Sequence, residues 1–184
     1  MNHYQDIVIL PNPEIADSVL MAALFTQLHL KLVQAAEGRI GISFPEVGVT
    51  LGSRLRLHGT HQDLAKLEAT GWHSTVKDYI FCKAVCPVPE GCQYRTVRRV
   101  QYKSNAQRLR RRSVKKGWLT QEQAEQQISV LNERRGKLPF LTVKSHSNRH
   151  AWLLFIEHGP LRETPTEGVF SSYGLSSVAT VPWF

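Results

Sequence analysis

The chain has 184 residues, 42% hydrophobic and 21% charged, which are ordinary proportions for a globular protein of one large domain or two small ones. Its net charge of +8 and pI near 9.7 point to a polyanionic partner. No apolar run is long enough to span a membrane, and MNHYQDIVIL lacks the basic-then-apolar pattern of a secretory signal, so the expected location is cytoplasmic.

Tyr4 to Leu10 is expected as a strand, ended by Pro11 and Pro13. Asp17 or Ser18 can cap a helix reaching about Ala36. Its apolar stripe is Leu20, Leu24, Leu28 and Leu32, with Met21, Phe25 and Val33 alongside and Gly38 at its end. Ile40–Phe44 and Arg54–Leu57 are expected strands, His61–Thr70 a short helix, and Val76–Val85 a fourth strand. The order β-α-β-β-α-β is the ferredoxin-like, RRM-like pattern. Pro87, Pro89 and Gly91 suggest a linker. The expected fold is therefore α+β, with a ferredoxin-like domain over residues 1–90 and a second domain over 91–184.

Beyond residue 91 the character changes. Tyr94–Lys103 is extended and basic, and Asn105–Lys116 is an arginine-rich helix stopped by Gly117. Thr120 and Gln123 form a capping box for a further helix reaching about Arg134. Leu138–Lys144 and Ala151–Ile156 are expected strands around a polar hairpin tip, Ser145–His150. Val169–Tyr173 and Thr180–Phe184 are expected as further extended pieces.

Ten of the 23 lysines and arginines fall between Arg95 and Lys116, with no Asp or Glu among them. A run this dense repels itself unless an anion lies against it. Arg108, Arg111, Arg112 and Lys115 recur at helical spacing and line one face, suited to successive phosphates. Arg99 and Gln101, two apart in an extended segment, point the same way. Arg suits guanine and Gln adenine, although two exposed polar residues on a strand would look the same.

His29 borders the apolar stripe of the first helix; it is either a histidine packed at the core edge or a general base. Ser145 and Ser147 sit beside His146, where polar residues are normal in a turn. No nucleophile elbow and no acidic pair for two metal ions is present. His146, His150 and His158 lack a matching cysteine or carboxylate. Cys82, Cys86 and Cys92 have neither disulfide nor zinc-finger spacing and are expected as reduced, partly buried thiols. Trp152 and Tyr173 can be core residues or can stack on a base.

The segments HYQDI, GRIGISFP, RVQYKSNAQRLRRR, FLTVKSHS, LFIEHGPL and YGLSSVATVPWF run nearly the full chain. In them the sequence resembles the CRISPR-associated endoribonucleases that process precursor CRISPR RNA in type I-F systems. The resemblance implies a repeat-derived RNA stem-loop as substrate, retention of the mature crRNA, and a place among the subunits of an antiviral surveillance complex. It implies no cofactor and no metal. The reaction it implies is attack by a ribose 2′-OH on the adjacent phosphate, leaving a 2′,3′-cyclic phosphate. His29 matches the position that takes the proton, Ser145 the one that holds the hydroxyl, and Tyr173 one that orients the histidine. Arg99 and Gln101 match base readers, and Arg111, Arg112, Lys115 and Lys116 match phosphate contacts. Ser147 lies near the matching cleavage site, and Trp152 fills the place of an aromatic stacked on the stem. The family often has arginine where Lys115 and Lys116 stand, which costs the bidentate fork. Gly117 replaces a basic residue or histidine, and Asn148 a threonine. The rival reading from composition is an RNA-hairpin-binding subunit without catalysis.

Overall fold

The computed structural model describes residues 1–35, 38–101, 106–127, 138–144 and 151–184. It is a mixed α/β protein with antiparallel sheets. The elements are β1 (His3–Ile9), α1 (Asp17–Ala35), β2 (Gly41–Ser43), β3 (Arg54–Gly59), α2 (His61–Ala69), a 3₁₀ helix (Ser74–Tyr79), β4 (Ile80–Cys82), β5 (Cys86–Pro87), β6 (Gln93–Arg95), β7 (Val97–Val100), α3 (Ala106–Lys115), β8 (Phe140–Lys144), β9 (Ala151–His158) and β10 (Val181–Trp183). Residues 121–127 are also helical.

The first sheet has the order β2-β3-β1-β4, with β5 also paired to β1; β10 pairs with β6, and β7-β9-β8 form a third sheet. Contacts divide the chain into a unit of Met1–Arg99 with Pro139–Phe184 and a unit of Val100–Leu138. This differs from a division at residues 90 and 91. Leu154, Ile156 and Val181 join Ile7, Leu24 and Leu57 in one buried cluster, so residues 139–184 complete the first unit's core.

Three other expectations change. Residues 76–79 of the expected fourth strand are 3₁₀ helix, with Val76 buried, and only Ile80–Cys82 pairs, against β1. The expected linker is structured: Cys86 and Pro87 pair with Tyr4 and His3, a strand end where proline costs little. Residues 169–173 contain no strand.

The spacing of α1 does what an amphipathic helix requires. Leu20, Leu24, Leu28 and Leu32 are buried, as are Met21 and Phe25, while Val33 is 61% exposed. α2 is capped by Thr60, whose Oγ1 accepts from Asp63 N at 3.1 Å.

Two histidines, His58 buried and His158 half-buried, make stability depend on pH. His58 is fully buried, and burial together with the neighbouring Arg56 charge pushes its pKa down to about 3. Burial, with Arg95, pushes His158 down to about 4. Both rings are neutral in the fold, whereas in the unfolded chain they take a proton near 6.5. Their contribution is therefore complete above about pH 6.5 and is lost as the pH falls toward 4 to 3. Urea midpoints are expected to drop from pH 7 to pH 5, at up to about 1.4 kcal/mol per pH unit for each histidine. Equal midpoints at the two pH values would refute this.

Candidate active site and nucleic-acid interface

His29 lies on the fourth turn of α1, one turn after Phe25. That spacing places it at the rim of the buried stripe, half-buried rather than facing away from the core. Its ring stacks on Tyr173, with centroids 4.1 Å apart and planes 9° from parallel. Tyr173 in turn lies parallel to Phe25 at 6.1 Å. His29 Nδ1 is 2.8 Å from the Ser172 carbonyl oxygen. A carbonyl only accepts, so Nδ1 carries the hydrogen and donates it. In the neutral ring, Nε2 is then the atom able to take a proton.

The loop that supplies both contacts is fixed by a tight turn. Gly174 N donates to the Ser171 carbonyl at 2.8 Å, and Ile42 N donates to the Gly174 carbonyl at 2.9 Å. Gly174 has φ +69°, and a Cβ there would lie 2.7 Å from Ile42 Cγ2. Gly174→Ala is expected to lower stability by roughly 1–3 kcal/mol. Urea denaturation checks this; an unchanged midpoint would show that the turn tolerates a side chain.

Around the same rings lie Trp152 and Arg99. Trp152, on β9, meets Tyr173 edge-on at 5.9 Å. The Arg99 guanidinium, on β7, sits 4.5 Å from the Trp152 ring centroid and 5.7 Å from that of Tyr173. Four residues singled out in the sequence, from α1, β7, β9 and the 171–174 turn, thus form one cluster. Ser145, Ser147 and Asn148 lie outside the described residues. Gln101 is exposed just after β7.

The unit of residues 100–138 holds the basic helix. Leu109 and Leu119 pack on buried Ala124, and Arg110 Nη2 donates to the Glu125 carbonyl at 3.1 Å. These contacts turn one side of α3 inward. Arg111, Arg112, Lys115 and Lys116 remain exposed and line one open depression. The Arg108 side chain is outside the described set, although its place in α3 keeps the expected spacing. The helix ends as its glycine predicts: Gly117 has φ +70°, Trp118 N donates to Ser113 O, and Gly117 N donates to Val114 O, both at 3.0 Å. Thr120 and Gln123 then exchange reciprocal bonds of 3.1 and 3.3 Å, the expected capping box.

Sequence reasoning missed two features. One is the Ser172 carbonyl, a backbone atom with no side-chain signature. The other is Trp118, 63% exposed with Lys116 Nζ 4.7 Å above its ring at the end of the basic helix.

Residues 4–184 match the family described as CRISPR-associated protein (Cas_Csy4). The chain belongs to this family. Two members that align over the whole of both chains are the CRISPR-associated endonuclease Cas6/Csy4 of Escherichia coli (strain UTI89 / UPEC), at 54% identity, and that of Pseudomonas aeruginosa (strain UCBPP-PA14), at 43%. As a Cas_Csy4 member the chain carries a half-buried histidine, an aromatic cluster and a basic helix.

Proposed function

We propose that this protein is a metal-independent endoribonuclease that cuts the repeat stem-loop of precursor CRISPR RNA. It then keeps the mature crRNA as a subunit of a type I-F surveillance complex in the cytoplasm. The observation that carries this reading is the fixed ring of His29, with Nδ1 bound to the Ser172 carbonyl and Nε2 left to accept. The endonuclease names of two full-length relatives support it. The strand order β2-β3-β1-β4, with α1 and α2 as crossovers, supports a ferredoxin-like arrangement for the N-terminal region.

The chemistry needs little from the protein. The nucleophile is the RNA's own 2′-OH. His29 Nε2 takes its proton as O2′ bonds to phosphorus, the P–O5′ bond breaks, and O5′ receives a proton from the imidazolium so formed or from water. Ser145 holds the hydroxyl in line, and such positioning can be worth as much as the proton transfer. Tyr173 keeps the imidazole plane fixed. Arg99, Gln101 and Trp152 engage the base of the stem, with Ser147 and Asn148 near the cut. Arg108, Arg111, Arg112, Lys115 and Lys116 neutralise phosphates along the hairpin.

The test is incubation with the repeat hairpin in excess EDTA, beside the same RNA with one 2′-deoxy nucleotide at the scissile position. Cleavage of the first alone, leaving a cyclic-phosphate end, is the expected result. Tight binding without a cut in either lane would replace the enzyme with a hairpin-binding subunit.

A further inference from the structure

Away from the histidine–tyrosine stack, three donors of different chemistry meet where α2 ends. Glu68 is on α2, His73 lies in the turn that follows, and Cys82 is on β4. One ligand-capable atom of each lies within 4.8 Å of the other two. His73 Nε2 and Glu68 Oε1 are 2.9 Å apart. The proposed cleavage reaction uses none of them.

We propose that Glu68, His73 and Cys82 bind a single zinc-class divalent cation. One sulfur, one imidazole nitrogen and one carboxylate oxygen form a mixed set that suits Zn²⁺ and does not suit Mg²⁺ or Ca²⁺, which take oxygen ligands. In a tetrahedral zinc site these donors stand about 3.3–3.6 Å from one another. The trio is close to that spacing already, so small side-chain rotations close it. Three protein ligands leave the fourth position to water.

The surroundings fit a ligand set. The other Glu68 oxygen, Oε2, accepts from Gln5 Nε2 at 3.4 Å, and the same amide donates to the Lys83 carbonyl at 3.2 Å. Gln5 is only 4% exposed, so it is a rigid support behind the carboxylate. The Trp72 ring meets His73 edge-on at 5.3 Å and limits its rotation. All three donors are partly exposed, so an ion can reach them from solvent. The spacing of Cys82, Cys86 and Cys92 carries no sign of this site. The zinc partners of Cys82 are a glutamate and a histidine, at positions 68 and 73, rather than a second cysteine.

The ion's role is structural: it would join the end of α2 to β4. The inference stands apart from the proposed RNA cleavage, and its test does not read that activity. The full chain, stripped by a chelator, is titrated with Co²⁺ and, separately, with Zn²⁺ against a chromophoric competitor. The expected result is one equivalent bound at micromolar metal, a cobalt–thiolate charge-transfer band, and a Tm raised by several degrees in excess zinc. Band and shift should vanish in Cys82→Ser and in His73→Gln, and should persist when Cys86 and Cys92 are both serine. Should Cys82→Ser fail to fold by circular dichroism, His73→Gln decides. Absence of binding at micromolar metal, or a cobalt band that survives in both variants, overturns the site.

Discussion

Cleavage by the His29→Ala protein is expected to fall about 10²–10⁴-fold, the usual worth of a positioned proton-transfer group. Hairpin affinity should change by no more than a few-fold. The measurement is a single-turnover time course, because a nuclease that holds its product would hide the chemical step under multiple turnover. The geometry adds a second arm. Tyr173 meets His29 through its ring face, with centroids 4.1 Å apart. Tyr173→Phe should therefore cleave nearly normally, and Tyr173→Ala should lose much of the rate. If His29→Ala cut at the parental rate, the histidine would be a rim residue of the core and nothing more.

Arg56→Ala should cost about 3–5 kcal/mol of stability, through the charge it strands. Asp6 and Arg56 face each other across β1 and β3, and both are buried. Their bonds are bidentate, Nε to Oδ1 at 2.6 Å and Nη2 to Oδ2 at 3.1 Å. Arg56 Nη1 donates further to the Phe184 carbonyl at 3.0 Å, and the guanidinium lies near the rings of Phe184, at 4.0 Å, and Tyr4, at 4.8 Å. Removing the cation leaves a carboxylate with Arg54 at 3.5 Å as its remaining ion-pair partner among the described residues. The double replacement Asp6→Leu with Arg56→Met removes both charges and should recover most of the loss. Urea denaturation of the three proteins separates the outcomes; a single variant as stable as the parent would show that solvent reaches the pair.

Local signals in the sequence were legible where a single segment carries its own reason. The leucines of α1, the arginines and stop glycine of α3, and the Thr120–Gln123 box each depend on residues a few positions apart. Misreadings occurred where partners are distant. Val76 and Val85 give residues 76–85 the composition of a strand, yet only Ile80–Cys82 finds β1 beside it. Pro87 and Gly91 look like a linker until β1 offers an edge for Cys86 and Pro87. Of the proposed site, the residue types were visible but their meeting was not. The bond between His29 and the Ser172 carbonyl spans 143 positions and ends on a backbone atom. The same limit hid Glu68, His73 and Cys82, whose spacing matches no familiar motif.

Residues 100–138 form a unit set inside a chain whose two flanks, 1–99 and 139–184, share one core. The entropy of closing such an excursion grows only with the logarithm of its length, about 0.6 kcal/mol for each doubling. Lengthening or shortening this stretch therefore weighs little on the core beside α1 and the 171–174 turn, which carry His29 and Tyr173. On the proposed reading, in which the basic helix of this unit meets the RNA and His29 serves at the cut, a nuclease organised this way can exchange the one for another, and so follow a drifting repeat sequence, while the other stays as it was.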